Sequence, residues 1–133
     1  MAMDASTELF VKNLAENNGP AFHELPVDKC REVYKELVSQ LSGELADIGE
    51  IKELSVPAGN SQITIRVYSP KKTEENMPAV AYFHGGGWVI GDLDTHDPVC
   101  RRLCAKSDFI LFSVEYRLAP ENKYPSGIDD CIT

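Results

Sequence analysis

Positive charge is scarce in this chain. Thirteen lysines and arginines stand against 21 aspartates and glutamates, a formal net charge of −8 over 133 residues. A nucleic-acid partner would need a basic face, so that class of function is excluded. Long apolar runs are missing as well. None reaches the roughly 20 residues a membrane-crossing helix needs, and no membrane span is expected. Cysteine is sparse, at Cys30, Cys100, Cys104 and Cys131, with no CxxC pair, and only three histidines accompany them. No metal site is expected from that set. The cysteines read as reduced small hydrophobes of a cytoplasmic protein. The opening Met1-Ala2-Met3-Asp4 has neither a basic nor an apolar leader region, so no signal peptide is expected. Repeats and low-complexity tracts are also lacking. What remains, 43% hydrophobic and 26% charged residues, is the composition of a globular chain of at most one domain.

The first part reads as two helices. Asp4 to Ser6 offers N-caps, Leu9, Phe10, Val11 and Leu14 follow, and Asn18-Gly19-Pro20 stops the run. A second helix begins near Pro26. Its apolar positions Val27, Cys30, Tyr34, Leu37, Val38 and Leu41 line one face, and Ser42-Gly43 ends it. From Glu50 the period becomes two. Leu54 and Val56 alternate with polar neighbours, Pro57-Ala58-Gly59-Asn60 turns the chain, and Gln62 to Val67 alternates strictly. This pattern predicts an antiparallel pair at a sheet edge. Beyond a polar linker, Ala79–Phe83 and Phe109–Val114 are nearly continuous apolar runs, as in parallel strands buried on both faces. Asp97-Pro98 between them predicts a helix start, with Val99, Cys100, Leu103 and Cys104 on its apolar face. A last helix is predicted from Tyr124-Pro125-Ser126.

At the carboxyl end of the first buried run stands His84-Gly85-Gly86-Gly87-Trp88. Ligand sites of open α/β sheets lie at that end of the strands. Three successive glycines cost backbone entropy, so the loop must need them. Without a Cβ in the way, their N–H groups can turn to one point and stabilise the oxygen anion of an attacked ester. A flexible turn or a phosphate loop are the other readings, but the latter needs G-x-G-x-x-G or a following Gly-Lys-Ser/Thr, and neither is present.

The flanking residues decide between them. Val80 to Trp88, Gly91-Asp92-Leu93-Asp94-Thr95-His96 and Ser113-Val114-Glu115-Tyr116-Arg117-Leu118-Ala119-Pro120-Glu121 strongly resemble the hormone-sensitive-lipase-like family of α/β-hydrolase esterases. The resemblance implies an α/β fold, the N-terminal part of an α/β-hydrolase, with residues 1–48 as a helical cap segment and 49–133 as part of the core. It implies oxyanion-hole amides at Gly86 and Gly87, with Gly85 shaping the turn and His84 anchoring the loop. Trp88 either borders the substrate pocket or fills the core. His96 is expected to fix the loop, and a catalytic grouping of His96 with His23 and Asp129 is rejected. Glu115, Arg117 and Glu121 are expected to form a charged network under the loop after the second buried strand. No cofactor is implied, and the substrates would be short to medium acyl esters.

One element of the family pattern is missing. No serine or cysteine has glycine both two places before and two places after it, so Gly-x-Ser-x-Gly and the triad acid and base are not in this sequence. The 133 residues are therefore expected to be inactive alone and to rely on the remainder of their polypeptide, or a swapped partner, for a stable fold. The alternative function is a receptor-like, non-catalytic member of the same fold.

Overall fold

The computed structural model describes residues 3–16 and 19–133. The leader reading at Met1-Ala2 and the stop signal at Asn18 lie outside them. Helix α1 (Ala5–Glu16) starts where Asp4 accepts hydrogen bonds from the Thr7 amide at 3.0 Å and the Thr7 hydroxyl at 2.6 Å. None of its residues is buried. After a single 3₁₀ turn at Phe22–Glu24, α2 (Val27–Leu41) runs to Ser42, as its apolar spacing predicts.

Strands β1 (Glu50–Ala58) and β2 (Ser61–Ser69) pair antiparallel along their full length. Pro57 and Ala58 belong to β1, so the turn is the pair Gly59-Asn60 alone. An edge strand such as β1 tolerates a proline because half of its N–H groups face solvent and not a neighbouring strand. Strands β3 (Ala79–Phe83) and β4 (Ile110–Val114) are parallel, and β4 also pairs antiparallel with β2. The sheet order is β1-β2-β4-β3, which leaves β3 at an open edge. Apolar side chains there stand in solvent: Val80 is 38% and Phe83 44% exposed.

Helix α3 (Leu93–Ala105) corrects the predicted start at Asp97-Pro98 by four residues. Asp92 is the N-cap. Its carboxylate accepts the Thr95 amide at 2.8 Å, and the Thr95 hydroxyl accepts the Asp92 amide at 2.8 Å, a reciprocal capping box. Pro98 thus sits inside the helix, where it removes one i→i−4 bond. The tertiary setting carries that loss, because Cys100 and Cys104 on α3 are fully buried against Tyr68 and Leu111 of the sheet. Ala58, Ile63, Val114 and Tyr116 form a second core cluster, with Cys131 of α4 (Ser126–Ile132) packed against it. Among the described residues no helix is long and apolar enough to cross a membrane.

Candidate active site

Strand β3 delivers His84 to the carboxyl end of the parallel pair, and the glycine loop follows at once. Its backbone is one that only glycine adopts at ease. Gly86 has φ +134°, Gly87 +61° and Gly91 +95°. The Gly86 carbonyl accepts both the Val89 amide at 3.1 Å and the Ile90 amide at 3.0 Å, which folds the loop back on itself. A Cβ on Gly86 would lie 1.9 Å from the Ile90 carbonyl oxygen, and one on Gly91 would lie 2.5 Å from His84 Nδ1. Trp88 is left-handed too, at φ +64°. A bulky residue there costs on the order of 1–3 kcal/mol and persists only when its surroundings fix it. The Ala119 amide does so in part, by donating to the Trp88 carbonyl at 2.8 Å.

The N–H groups of Gly86 and Gly87 donate to no protein acceptor among the described residues. Both residues line a cavity of about 270 Å³, shared with Phe83, His84, Gly85, Trp88 and Tyr116. Trp88 also borders a smaller cleft of about 160 Å³ with Tyr124, Pro125 and Ile128, and its ring abuts Gly127. In this chain it is 48% exposed.

His84 is buried behind the loop. Its Nδ1 is 2.9 Å from the Gly85 carbonyl, and its ring lies between Tyr116, 4.3 Å away, and His96, 5.0 Å away. The Tyr116 hydroxyl donates to the His84 carbonyl. Burial, more than any neighbouring charge, pushes that hydroxyl's pKa up to about 12, so it remains a donor. The ring column continues from His96 to Tyr82 and Tyr34, with centroids 6.1 and 6.3 Å apart.

His96 lies in the first turns of α3, not ahead of the helix, and forms no bond with His23 or Asp129 among the described residues. Burial first, then the His84 ring, holds its imidazole below the ordinary 6.5. The folded state therefore binds fewer protons than the unfolded chain around that pH. Stability is full above it and is lost as pH falls below about 6.5. Melting temperatures measured from about pH 7.5 to 5.5 are expected to fall, and to fall less steeply in His96→Phe. Equal slopes in the two proteins would exclude His96 as the source.

The expected Glu115–Arg117–Glu121 network is corrected: the three residues face different partners. Glu115 accepts the Leu93 amide at 2.8 Å. Burial pushes its carboxyl above the usual carboxylate range, against the opposing pull of that hydrogen bond. Arg117 pairs with the buried Asp130, with Nη2 at 2.7 Å from Oδ1 and the backbone amide at 2.8 Å from Oδ2. Glu121 pairs with Arg31 of α2 through two bonds of 2.8 and 2.9 Å. Their alternation in sequence suggested one cluster, but a loop without strand or helix period turns successive side chains in unrelated directions. Arg31, Asp130 and Tyr116 are the residues that sequence reasoning gave no role.

Residues 80–133 match a family described as an alpha/beta hydrolase fold. The hyperthermophilic esterase from the archaeon Pyrobaculum calidifontis superposes with a TM-score of 0.84 at 34% identity, over 98% of this chain and 41% of that one. The chain belongs to the α/β-hydrolase fold family. Carboxylesterase NlhH of Mycobacterium tuberculosis is 54% identical to this α/β-hydrolase chain over 72 residues, 54% of this chain and 23% of that protein. An arylesterase of Saccharolobus solfataricus is 30% identical over 131 residues, 98% of this chain and 42% of that protein. The α/β-hydrolase chain thus spans less than half the length of these relatives, and its four-stranded mixed sheet corresponds to the N-terminal part of their fold.

Proposed function

We propose that the chain supplies the oxyanion hole of a serine-type carboxylesterase acting on short to medium acyl esters. The observation that carries this reading is the pair of unengaged N–H groups at Gly86 and Gly87, both bordering one cavity. As a nucleophile adds to an ester carbonyl, the oxygen gains negative charge. Donors already oriented at that point lower the barrier, and each is worth on the order of 100-fold or more in rate. His84 and Tyr116 hold the loop from behind, so the amides need not reorganise during reaction. Trp88 forms a wall of the substrate pocket. The nucleophilic serine, the base and its orienting acid come from sequence outside these residues, and residues 1–133 alone hydrolyse nothing. Helices α1 and α2 act as the cap segment, and the apolar β3 edge receives the complementing part of the polypeptide.

The test uses the protein expressed from its complete gene. A fluorophosphonate probe is expected to label it covalently, and short p-nitrophenyl esters are expected to be hydrolysed. A protein that binds a small ester without labelling or turnover would instead be a receptor-like member of the fold.

A further inference from the structure

We propose that Arg31 is a positioning residue for the glycine loop, reaching it from the cap segment. Its guanidinium has four bonds to two loops remote in sequence. Nε donates to the Val89 carbonyl at 2.8 Å, and Nη2 donates to the Ala119 carbonyl at 3.0 Å. Nη1 and Nη2 grip both carboxylate oxygens of Glu121. That side chain interaction holds the Glu121 carboxyl down at about 2, so it stays ionised across the neutral range.

These bonds close a ring around the strained residue. Ala119 donates to the Trp88 carbonyl, and Arg31 takes up both the Ala119 carbonyl and the Val89 carbonyl. The peptide planes on either side of Val89 are pinned at their oxygens, and their N–H groups, those of Val89 and Ile90, both donate to the Gly86 carbonyl, whose peptide plane carries the Gly87 N–H, with the Gly86 N–H one plane earlier. A glycine backbone resists rotation weakly, so the aim of those donors depends on what is fixed just downstream. Arg31 supplies that fixing point. The planar fork suits the task because one group meets a carboxylate and two carbonyls at once. A lysine ammonium, a point charge on a flexible stem, does not span them. Helix α2 therefore does more than pack against α3: the same residue joins cap, glycine loop and the loop after β4.

This inference rests on the oxyanion-hole reading, so its test has an arm independent of ester hydrolysis. In the protein from its complete gene, Arg31→Lys and Arg31→Gln are compared with Lys29→Gln, which alters an exposed ion pair on the same helix. Both Arg31 variants are expected to lose kcat by about 100-fold with KM within about twofold, because a misaimed donor acts in the transition state. Hydrogen exchange at the Val89, Ile90 and Ala119 amides is expected to become at least about tenfold faster in the same variants. Lys29→Gln is expected to change neither. If the wild type turns over no ester, the oxyanion-hole reading fails and exchange alone decides Arg31. Wild-type exchange at those three amides in folded Arg31→Lys would overturn the proposal. So would an unchanged kcat in an active wild-type background, or a loss confined to melting temperature.

Discussion

Gly86→Ala is expected to lower ester hydrolysis by at least about 100-fold and to destabilise the loop, whereas Gly85→Ala leaves the fold intact. The three glycines look equivalent in sequence, and the structure separates them. At Gly86 a methyl would collide with the Ile90 carbonyl at 1.9 Å, in a φ of +134° that L-residues rarely adopt. The loop must open to admit it, breaking the bonds from Val89 and Ile90 to the Gly86 carbonyl and turning both free amides away from the cavity. Gly87 has open space around a Cβ but a φ of +61°, so alanine there costs on the order of 1–2 kcal/mol of left-handed strain. Gly85 has neither obstacle. The expected order of damage to melting temperature is Gly86, then Gly87, then Gly85. Thermal melts and kcat/KM for the three alanine variants check it, and equal melts for the Gly85 and Gly86 variants would refute the steric argument.

Asp130→Ala is expected to destabilise the protein by about 3 kcal/mol, near the low end for a broken buried pair because Arg117 keeps a third of its side chain in water. In the protein from its complete gene that is a fall of roughly 6 °C in melting temperature. The Asp130 side chain is only 1% exposed. It accepts the Arg117 backbone amide as well as the guanidinium, tying the loop after β4 to α4. Alanine leaves the Arg117 amide without its acceptor and the guanidinium without its partner, whereas asparagine keeps one acceptor and is expected to cost less. The Arg117 hydrogen bonds also hold the Asp130 carboxyl below its usual range. Its contribution is then complete above about pH 4 and disappears as acid protonates it in the folded state. A wild-type-like melt for Asp130→Ala would show that the pair contributes nothing.

Local sequence carried much of this architecture. Alternation marked β1 and β2, continuous apolar runs marked β3 and β4, and helical spacing marked α2, because each depends on residues a few places apart. The glycine box was legible for the same reason, since its geometry comes from missing side chains within five residues. The start of α3 was misread because Asp97-Pro98 is a strong local signal. The Asp92–Thr95 capping box, joined by burial of Cys100 and Cys104, outweighs it. Arg31 was illegible in a different way. On its helix it is one polar residue among many, and its acceptors lie 58, 88 and 90 positions away. Asp130 likewise owes its role to a loop 13 residues earlier, with no periodic pattern connecting the two.

The unpaired flank of β3 sets a geometric address. Neighbouring strands run about 4.8 Å apart, and β3 ends one residue before His84. A strand docking there parallel to β3 would bring its own carboxyl-terminal residue level with the start of the glycine loop, one strand spacing to the side. Such a partner would present a side chain to the cavity from one strand spacing away.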